Sequence, residues 1–387
     1  MLTLAGESLR FCNIDDRRRF VIRLSSSPTL PKPLRESTAY LSKAPHDTLP
    51  PDFPLYVLVG DAQAAEKLIG DRRAVILPEA YAYLGSGDIL RITPHRCAVR
   101  VLYRRASPNN SILLTERCNH YCLMCSQPPK AADDSWLVDE VLQTIPLIDP
   151  ETRELGFTGG EPTLLGADLM RILTACKNWL PRTAVHVLSN GRRFADRAFV
   201  QAYAAVDHPD LMVGIPVYSD LSTIHDYVVQ ADGAFDETLR GILNLKRLGQ
   251  RVEIRVVLHK QTYTRLPYLA EFIARNLCFV DHVALMGLEL TGFARANLDA
   301  LWIDPHDYQG ELYEAVSHLA VRRIRVSIYN HQLCVLDPRL WPYARKSISD
   351  WKNEYLEECK GCLRRQECGG FFSSAKLRYS SHIKAFV

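Results

Sequence analysis

The sequence has no long apolar run and no strong excess of charge of either sign. No segment approaches the roughly 18 to 20 consecutive apolar residues that a membrane-spanning helix needs. The amino-terminal residues do not show the basic start and apolar stretch of a signal peptide. We therefore expect a cytoplasmic protein that does not insert into the membrane.

Charge is nearly balanced over the 387 residues, with 47 Lys and Arg against 44 Asp and Glu and a net charge of +3. Nucleic-acid binding depends on a concentrated basic surface, so this balance does not predict a nucleic-acid partner. Internal repeats and low-complexity tracts are absent, and the hydrophobic fraction of 47% is that of an ordinary folded protein.

Cysteine, by contrast, is abundant: the chain has 11, and six of them fall into two tight clusters. An odd number without a signal peptide argues against a disulfide framework, and the clustering indicates metal binding. Cys12 and Cys97 have no metal-like spacing. Cys176 and Cys278 lie in or beside apolar helical stretches, so we predict them to be core residues.

The first part of the chain, residues 1–108, is predicted to be a small β-rich region. Residues 28–54 are dense in proline, which favours an extended connector. Short apolar runs typical of strands follow it, at residues 56–59, 74–77, 88–92 and 98–103.

Residues 109–330 alternate strand-length apolar runs with longer helical stretches, the rhythm of repeated βα units on a parallel sheet. Strands are predicted at 111–114, 154–157, 184–189, 211–218, 252–258, 282–288 and 324–329. Helices are predicted at 136–145, 166–179, 235–248 and 267–277. Because only six or seven units fit, the predicted fold is an α/β partial (β/α)6 barrel, not a complete eightfold one. Residues 331–387 do not continue this alternation of strands and helices, and they form a predicted cysteine-rich region.

Three cysteines, Cys118, Cys122 and Cys125, follow the first predicted barrel strand on one loop. A closed zinc or iron–sulfur site takes four ligands, whereas three thiolates on a [4Fe–4S] cluster leave one iron open. An open iron can chelate the amino and carboxylate groups of S-adenosylmethionine (SAM). The alternative is a zinc site that takes a more distant fourth ligand, such as His120.

The next strand ends in Gly159-Gly160-Glu161-Pro162. Two glycines allow close backbone approach, and a carboxylate can receive an ammonium group. A CxxxCxxC loop after the first strand and a GGEP turn after the second closely resemble the radical SAM superfamily. The resemblance implies that the cysteine triad supports radical chemistry and that the GGEP turn binds the SAM amino group.

The resemblance extends to the ends of the third and fourth strands. It implies cofactor contacts from Ser189 and Asn190 on the third strand, and from Ser219 to the SAM ribose on the fourth. The residue before the third cysteine is often aromatic and packs on adenine. Here it is Met124, which is soft and apolar enough for that contact.

A second cluster contains Cys359, Cys362 and Cys368, with Cys334 upstream as a candidate fourth ligand. Four thiolates close a site, and both zinc and a [4Fe–4S] cluster accept that set. The tail resembles the carboxyl-terminal extensions of peptide-modifying radical SAM enzymes, which implies an auxiliary [4Fe–4S] cluster.

At subfamily level, residues 118–129, 84–92 and 362–372 resemble the HxsC-type radical SAM maturases. This resemblance implies a precursor peptide with His-Xaa-Ser repeats as substrate, with a second radical SAM protein, HxsB, and a small protein, HxsD, as partners. It also implies a reductant such as flavodoxin or ferredoxin. Two alternatives stay open: a radical SAM enzyme that acts on a small metabolite, and a zinc-stapled scaffold with a degenerate site.

Four residues are weaker candidates for the substrate side. Glu289 ends the sixth strand, Arg255 and His259 lie on and after the fifth, and Tyr218 adjoins the expected ribose contact. Ligands of such barrels bind at the carboxyl ends of the strands, where these side chains are expected. Each is more often a structural polar or packing residue than a catalytic group.

Overall fold

The fold is given by a computed structural model that describes residues 4–7, 10–14, 18–43, 48–346 and 354–387. Those residues form two sheets, one of eight strands and one of seven. None of the helices in these ranges is long and apolar enough to cross a membrane.

The first sheet has the strand order β1-β8-β7-β3-β4-β5-β6-β2. Its strands are β1 (Ala5–Glu7), β2 (Arg10–Cys12), β3 (Phe20–Ser25), β4 (Thr38–Ser42), β5 (Tyr56–Val59), β6 (Ala74–Leu77), β7 (Ile89–Thr93) and β8 (Ala98–Tyr103). Two helices accompany them, α1 (Lys32–Arg35) and α2 (Ala62–Ile69). Neighbours from β3 to β6 pair in parallel, whereas the other pairs are antiparallel.

This sheet is strongly curled, so that its two edges come near each other. β1 and β2 occupy its opposite edges, yet Glu7 and Arg10 are three residues apart in the chain and so lie within about 11 Å of each other. Eight strands in a flat sheet would put those edges about 34 Å apart. The interior is filled by buried apolar side chains from β3 to β8, among them Leu24, Val57 and Val99.

The prediction of an extended connector at residues 28–54 is wrong for β4. All five residues of that strand are buried in the middle of the sheet, paired with β3 and β5. The chain has no proline between Pro33 and Pro45, so this window keeps the backbone donors that a strand needs. The strands predicted at 56–59, 74–77, 88–92 and 98–103 are confirmed to within a residue.

The second sheet is entirely parallel, and its strands lie in chain order from β9 to β15. They are β9 (Asn110–Thr115), β10 (Glu154–Gly159), β11 (Ala184–Leu188), β12 (Leu211–Pro216), β13 (Arg251–Leu258), β14 (His282–Gly287) and β15 (Val326–Tyr329). Six βα crossovers join the seven strands, which confirms the predicted partial barrel with an α/β fold.

Nine helices in the described ranges connect or flank these strands. They are α3 (Trp136–Thr144), α4 (Ala167–Trp179), α5 (Arg197–Ala205), α6 (Ser222–Val229), α7 (Ala234–Arg247), α8 (Leu266–Asn276), α9 (Gly292–Ala296), α10 (Leu298–Leu301) and α11 (Gln309–Val321). The four predicted helices correspond to α3, α4, α7 and α8, whereas α5, α6, α9, α10 and α11 were not predicted.

Strand alternation divides the parallel sheet into an apolar outer face and a more polar inner face. Val213 and Ile215 of β12 belong to the large core that packs the sheet against its helices. Gly214 between them faces the interior, where an added Cβ would lie 2.8 Å from His186 Nε2 and 2.9 Å from Arg255 Cδ. This glycine therefore makes room for two large polar side chains inside the barrel.

The described part of residues 331–387 contains short 3-10 turns and little regular structure. The turns are Pro338–Tyr343, Glu357–Cys359 and Ser373–Leu377. A bridge between Glu354 and Phe371 ties the region together. Phe386 packs edge-on against Trp341 with ring centroids 5.5 Å apart, so the end of the chain returns to the 3-10 turn after β15.

Candidate functional site

The cysteine loop follows β9 and is held by backbone bonds to two other elements at the carboxyl edge of the sheet. Leu123 N donates to Val228 O at the end of α6, at 2.9 Å. Phe293 N at the start of α9 donates to Cys125 O, at 2.8 Å. Gly292 has a φ of 54°, and an added Cβ there would lie 2.5 Å from Cys125 O. The loop is thus fixed from both sides by close backbone contact.

Cys118, Cys122 and Cys125 are free thiols that are partly exposed. Burial raises the pKa of all three, that of Cys118 to about 11. Charge on Cys125 further raises the pKa of the other two thiols, so the three sulfur atoms lie in one neighbourhood. Because thiolates are the ligands of iron, metal binding here must release protons.

His120 lies within the cysteine loop and is buried. Its Nδ1 is 4.0 Å from Cys122 Sγ, and its Nε2 has no hydrogen-bond partner among the described residues. Burial lowers the pKa of His120 to about 3, so the ring is neutral. A neutral imidazole can bind a metal, so the alternative zinc ligand set of the triad plus His120 is chemically complete.

The GGEP turn packs directly against the backbone that leads into Cys118. Gly160 N donates to Thr115 O at 2.7 Å, and Glu161 N donates to Arg117 O at 2.8 Å. An added Cβ on Gly160 would lie 2.1 Å from Arg117 O, and one on Gly159 would lie 2.3 Å from Thr115 O. The sequence predicted that these glycines allow a backbone to approach closely. In the structure, the backbone that approaches them is that of Thr115 and Arg117.

The Glu161 carboxylate is buried beneath this turn and accepts four hydrogen bonds. Oε1 accepts from Thr163 N, Thr163 Oγ1 and Ser189 Oγ, and Oε2 accepts from Asn190 N. Burial raises the pKa of Glu161, and these bonds oppose that effect. Pro162 is also buried and begins a short 3-10 turn that Glu161 caps. Oε2, with one bond, keeps acceptor capacity for an ammonium group.

Asn190 links the end of β11 to the cysteine loop. Its Nδ2 donates to Asn119 Oδ1 at 2.7 Å, and its own Oδ1 accepts from Arg192 N at 3.1 Å. Thr238 Oγ1 of α7 donates to Asn190 O at 3.0 Å. The structure therefore brings three predicted features together, namely the cysteine loop, Glu161 and the Ser189-Asn190 pair.

Ser219 and Met124 are turned into the protein. The Ser219 hydroxyl is buried, accepts from Leu221 N at 3.2 Å and lies 3.3 Å from Asp220 Oδ1, so it helps to begin α6. Met124 is buried in a small apolar cluster with Tyr218 and Val229. Their contacts with ribose and adenine stay predictions.

Arg255 points into the barrel and belongs to a buried polar network. Its Nη1 donates to Glu253 Oε1 at 2.6 Å, and its Nη2 lies 3.1 Å from Met286 Sδ. Glu253 Oε2 is 2.6 Å from His282 Nδ1, and His282 Nε2 is 2.9 Å from Ser327 Oγ. Burial acts to raise the pKa of Glu253, but the His282 hydrogen bond and the Arg255 charge lower it to about 2.

Glu253 and His282 were not predicted from the sequence to be functional residues. The available signal was the alternation in β13, where Glu253 and Arg255 interrupt an apolar strand at every second position.

Tyr218 and His259 are both buried, with ring centroids 6.4 Å apart. Neither ring nitrogen of His259 has a hydrogen-bond partner among the described residues, and burial lowers its pKa to about 4. Burial raises the pKa of Tyr218, and charge on Cys122 and Cys125 raises it further. Glu289, half-buried, follows β14.

The structure also brings the four carboxyl-terminal thiols into one neighbourhood. Burial raises the pKa of Cys334 and Cys359, and charge on Cys368 adds to both shifts. Cys362 adds to the shift of Cys359, and Phe386 N donates to Cys362 Sγ at 3.4 Å. All four thiols are partly exposed.

Cys176 is buried as predicted, but the prediction for Cys278 is wrong: it is exposed, because it lies beyond the end of α8. Over the described ranges, no group of three or more His, Cys, Asp or Glu side chains is already arranged to hold a metal ion.

Residues 112–273 match the family model of the radical SAM superfamily. This range begins in β9, ends in α8, and contains the cysteine loop and the GGEP turn. Residues 112–273 therefore form a radical SAM domain, and members of that superfamily use a [4Fe–4S] cluster and SAM. No protein of curated function matches the chain.

Among the solved structures that match the chain, three are 13–18% identical to it in sequence. SuiB of Streptococcus suis is 18% identical with a TM-score of 0.42, over 56% of this chain and 48% of SuiB. The anSMEcpe structure with bound AdoMet and Cp18Cys peptide is 14% identical with a TM-score of 0.49, over 71% of this chain and 92% of that one. The coproporphyrinogen III oxidase HemN of Escherichia coli is 13% identical with a TM-score of 0.43, over 55% of this chain and 52% of HemN. The match thus spans about half the length of SuiB.

Proposed function

We propose that this protein cleaves SAM reductively at a [4Fe–4S] cluster held by Cys118, Cys122 and Cys125 and uses the radical to modify a ribosomally made peptide. The observation that carries the proposal is the direct backbone contact between the cysteine loop and the GGEP turn, inside the range that matches the radical SAM model. When bound, the cluster supplies the electron that breaks a carbon–sulfur bond of SAM and releases the 5′-deoxyadenosyl radical.

Residues of this chain bind the cluster and SAM, and they shield the radical from water. The three thiols offer iron three ligands, and Glu161 Oε2 offers an acceptor for the SAM ammonium group. Met124, Tyr218 and Val229 form an apolar cluster beside the loop. An apolar wall there excludes water, which protects a reactive radical from side reactions.

The carboxyl-terminal thiols, Cys334, Cys359, Cys362 and Cys368, are proposed to hold an auxiliary [4Fe–4S] cluster. Support comes from the pKa of Cys334 and of Cys359, which burial raises and charge on neighbouring thiols of the set raises further. Four thiolates would occupy all four irons of that cluster and leave no site for SAM. Its proposed roles are therefore to transfer an electron, to anchor the peptide or to stabilise this region.

The substrate is proposed to be a precursor peptide with His-Xaa-Ser repeats, on the basis of the resemblance to the HxsC-type maturases. HxsB and HxsD are the proposed partners, and flavodoxin or ferredoxin the proposed reductant. A second candidate is a small charged metabolite, which the buried Glu253–Arg255 pair inside the barrel favours, because such a pair could recognise ionised groups.

SAM cleavage is tested with anaerobically reconstituted protein, a strong reductant and SAM. We expect release of 5′-deoxyadenosine, and its loss when Cys118, Cys122 and Cys125 are all replaced by Ala. Cys278→Ala, at an exposed cysteine, is the control and should cleave SAM like the unmodified protein. A triple variant that still makes 5′-deoxyadenosine at the full rate would disprove the assignment of the triad.

The peptide substrate is tested by mass spectrometry of a His-Xaa-Ser repeat peptide co-expressed with the enzyme or with the triple cysteine variant. A mass change that needs the intact triad supports the peptide function. An unchanged peptide, with SAM cleavage intact, would favour the small-metabolite alternative.

A further inference from the structure

His120 lies between the first two cysteines of the triad loop and turns one nitrogen atom towards each of their sulfur atoms. Its backbone N donates to Cys118 Sγ at 3.4 Å, and its ring Nδ1 lies 4.0 Å from Cys122 Sγ. Cys125 differs, because its Sγ lies 3.0 Å from Gln127 O, which is an acceptor. Within the part of the chain that the structure describes, no other side-chain nitrogen comes within hydrogen-bond distance of the three sulfur atoms.

The residues on both sides of His120 are anchored to other elements. Asn119 Oδ1 accepts from Asn190 Nδ2 at 2.7 Å, and Tyr121 N donates to Val229 O at 3.1 Å. The His120 side chain is buried. The ring therefore cannot turn away into solvent, and its place beside the sulfur atoms is set by the fold of the loop.

The Cys122 sulfur is the one hydrogen-bonding neighbour of the His120 ring among the described residues. The second ring nitrogen, Nε2, is buried without a partner in that part of the chain. An apolar side chain could fill the same space without leaving a nitrogen unpaired, and an unpaired buried polar atom costs free energy. Packing alone therefore does not account for a histidine at this position.

Iron binding favours the tautomer of His120 that carries its proton on Nδ1. The tautomer of a neutral histidine follows the hydrogen bond that is available to each ring nitrogen. A cysteine that binds a metal is a thiolate, whose sulfur has no proton to donate. Such a sulfur atom attracts an Nδ1–H and repels an Nδ1 lone pair. The contact between the ring and Cys122 is then an N–H···S hydrogen bond.

Hydrogen bonds to the sulfur atoms are one of the factors that set the reduction potential of an iron–sulfur cluster. The reduced cluster carries one more negative charge than the oxidised cluster, so an N–H donor stabilises the reduced form more. Cys122 packs against the apolar cluster of Met124, Tyr218 and Val229. Apolar surroundings strengthen a hydrogen bond to a charged group, because the local dielectric constant is low.

We propose that His120 raises the reduction potential of the [4Fe–4S] cluster by donating Nδ1–H to the Cys122 sulfur, and that it is not a ligand of iron. The electron that SAM cleavage needs then enters the cluster more easily, and one iron stays open for SAM. The proposal rests on the proposed function in one respect, which is that the triad holds the cluster.

The test is a redox titration of the reconstituted full chain, followed by EPR spectroscopy. The triad cluster is recognised by a change in its EPR signal when SAM is added, since a cluster with four thiolates has no site for SAM. His120→Phe keeps a buried ring but removes the donor. It should reduce the equilibrium constant for one-electron reduction about three- to tenfold, which lowers the midpoint potential by about 30–60 mV.

Two further variants separate the hydrogen bond from the loss of a buried histidine. His120→Asn keeps an N–H donor near the place of Nδ1, so the midpoint potential should fall by less than about half as much as in His120→Phe. His225→Phe is the matched control. His225 is a buried histidine of α6 whose Nδ1 accepts from Tyr218 N at 3.2 Å, and it makes no described contact with a triad sulfur. Its potential should equal that of the unmodified protein.

A second measurement needs no variant. In unmodified protein with 15N in its imidazole rings, pulsed EPR of the reduced triad cluster should show a weak nitrogen coupling, as expected of a hydrogen bond to sulfur. A strong coupling, from a nitrogen bonded to iron, would overturn the proposal, as would the absence of any coupling to histidine.

An unchanged midpoint potential in His120→Phe would also overturn the proposal. Loss of the triad cluster from a His120→Phe variant that melts normally would do the same, because His120 would then be a ligand. Iron content is measured before any potential. An unmodified protein that assembles no cluster on the triad would therefore show failure of the proposed function itself, and this result differs from an unchanged potential in a loaded protein.

Discussion

Ser189 Oγ donates a 2.8 Å hydrogen bond to Glu161 Oε1, and this contact joins the ends of β10 and β11 inside the site. The Glu161 carboxylate is buried and accepts three further bonds, so its charge is held in place before any cofactor binds. Glu161, which is predicted to bind the SAM ammonium group, therefore also stabilises the structure of the site.

Glu161→Ala should weaken SAM binding by about one to two orders of magnitude, because a charge-assisted hydrogen bond is worth roughly 1.5–3 kcal/mol. It should also lower the free energy of unfolding by about 1–3 kcal/mol, since buried donors on Ser189 and Asn190 lose their acceptor. The measurements are a SAM titration, iron content and thermal melting.

Ser189→Ala is the control for this prediction. It removes one neutral donor but keeps the carboxylate, so SAM affinity should fall less than tenfold. Unchanged SAM affinity in Glu161→Ala, with normal iron content, would remove Glu161 from the cofactor site.

Gly160→Ala should destabilise the protein by about 1–3 kcal/mol and reduce the iron retained by the triad. The added Cβ would lie 2.1 Å from Arg117 O, so the GGEP turn and the cysteine loop must move apart. Thermal melting and iron analysis after reconstitution measure both effects.

Gly310→Ala, in α11, is the matched control. An added Cβ there meets nothing within 4 Å, and Ala favours a helix more than Gly. Its stability should be unchanged or slightly raised. If Gly160→Ala behaved in the same way, the close packing of the two loops would not be a requirement of the site.

Full reconstitution should give about eight irons per chain, and about four in the variant that lacks Cys118, Cys122 and Cys125. The remaining iron would belong to a cluster on Cys334, Cys359, Cys362 and Cys368. Mössbauer spectroscopy of the triad variant identifies the cluster type. One equivalent of zinc with no iron–sulfur signal would leave the carboxyl-terminal site purely structural.

His259 should make the folded state less stable as the pH falls from about 6.5 to about 4. Burial lowers its pKa from 6.5 to about 4, so in this window the unfolded chain binds a proton that the folded chain does not. His259 alone should then account for about 2 kcal/mol of lost stability between pH 7 and pH 5.

His259→Phe removes this titration, so its melting temperature should fall less between pH 7 and pH 5 than that of the unmodified protein. An equal fall in both proteins would show that His259 does not stay neutral and buried in the folded state.

The local features of the parallel-stranded domain could be predicted from the sequence. The seven parallel strands were predictable because each is a short apolar run, and helices follow six of them. The cysteine triad and the GGEP turn were recognisable because the residues of each motif lie close together in the sequence. Helix α6 was missed because it is short, and Ser222 to Val229 show no strong helical periodicity.

Features that depend on residues far apart in the sequence could not be predicted and are visible only in the folded chain. β1 pairs with β8 and β2 pairs with β6, contacts that join residues more than 60 positions apart in the sequence. The bond between Glu253 and His282, and a cavity between Asn330 and Phe371, likewise join separate elements. Hydrophobic periodicity reports which face of a strand or helix is buried, but not which partner covers it, because pairing and packing depend on the whole chain.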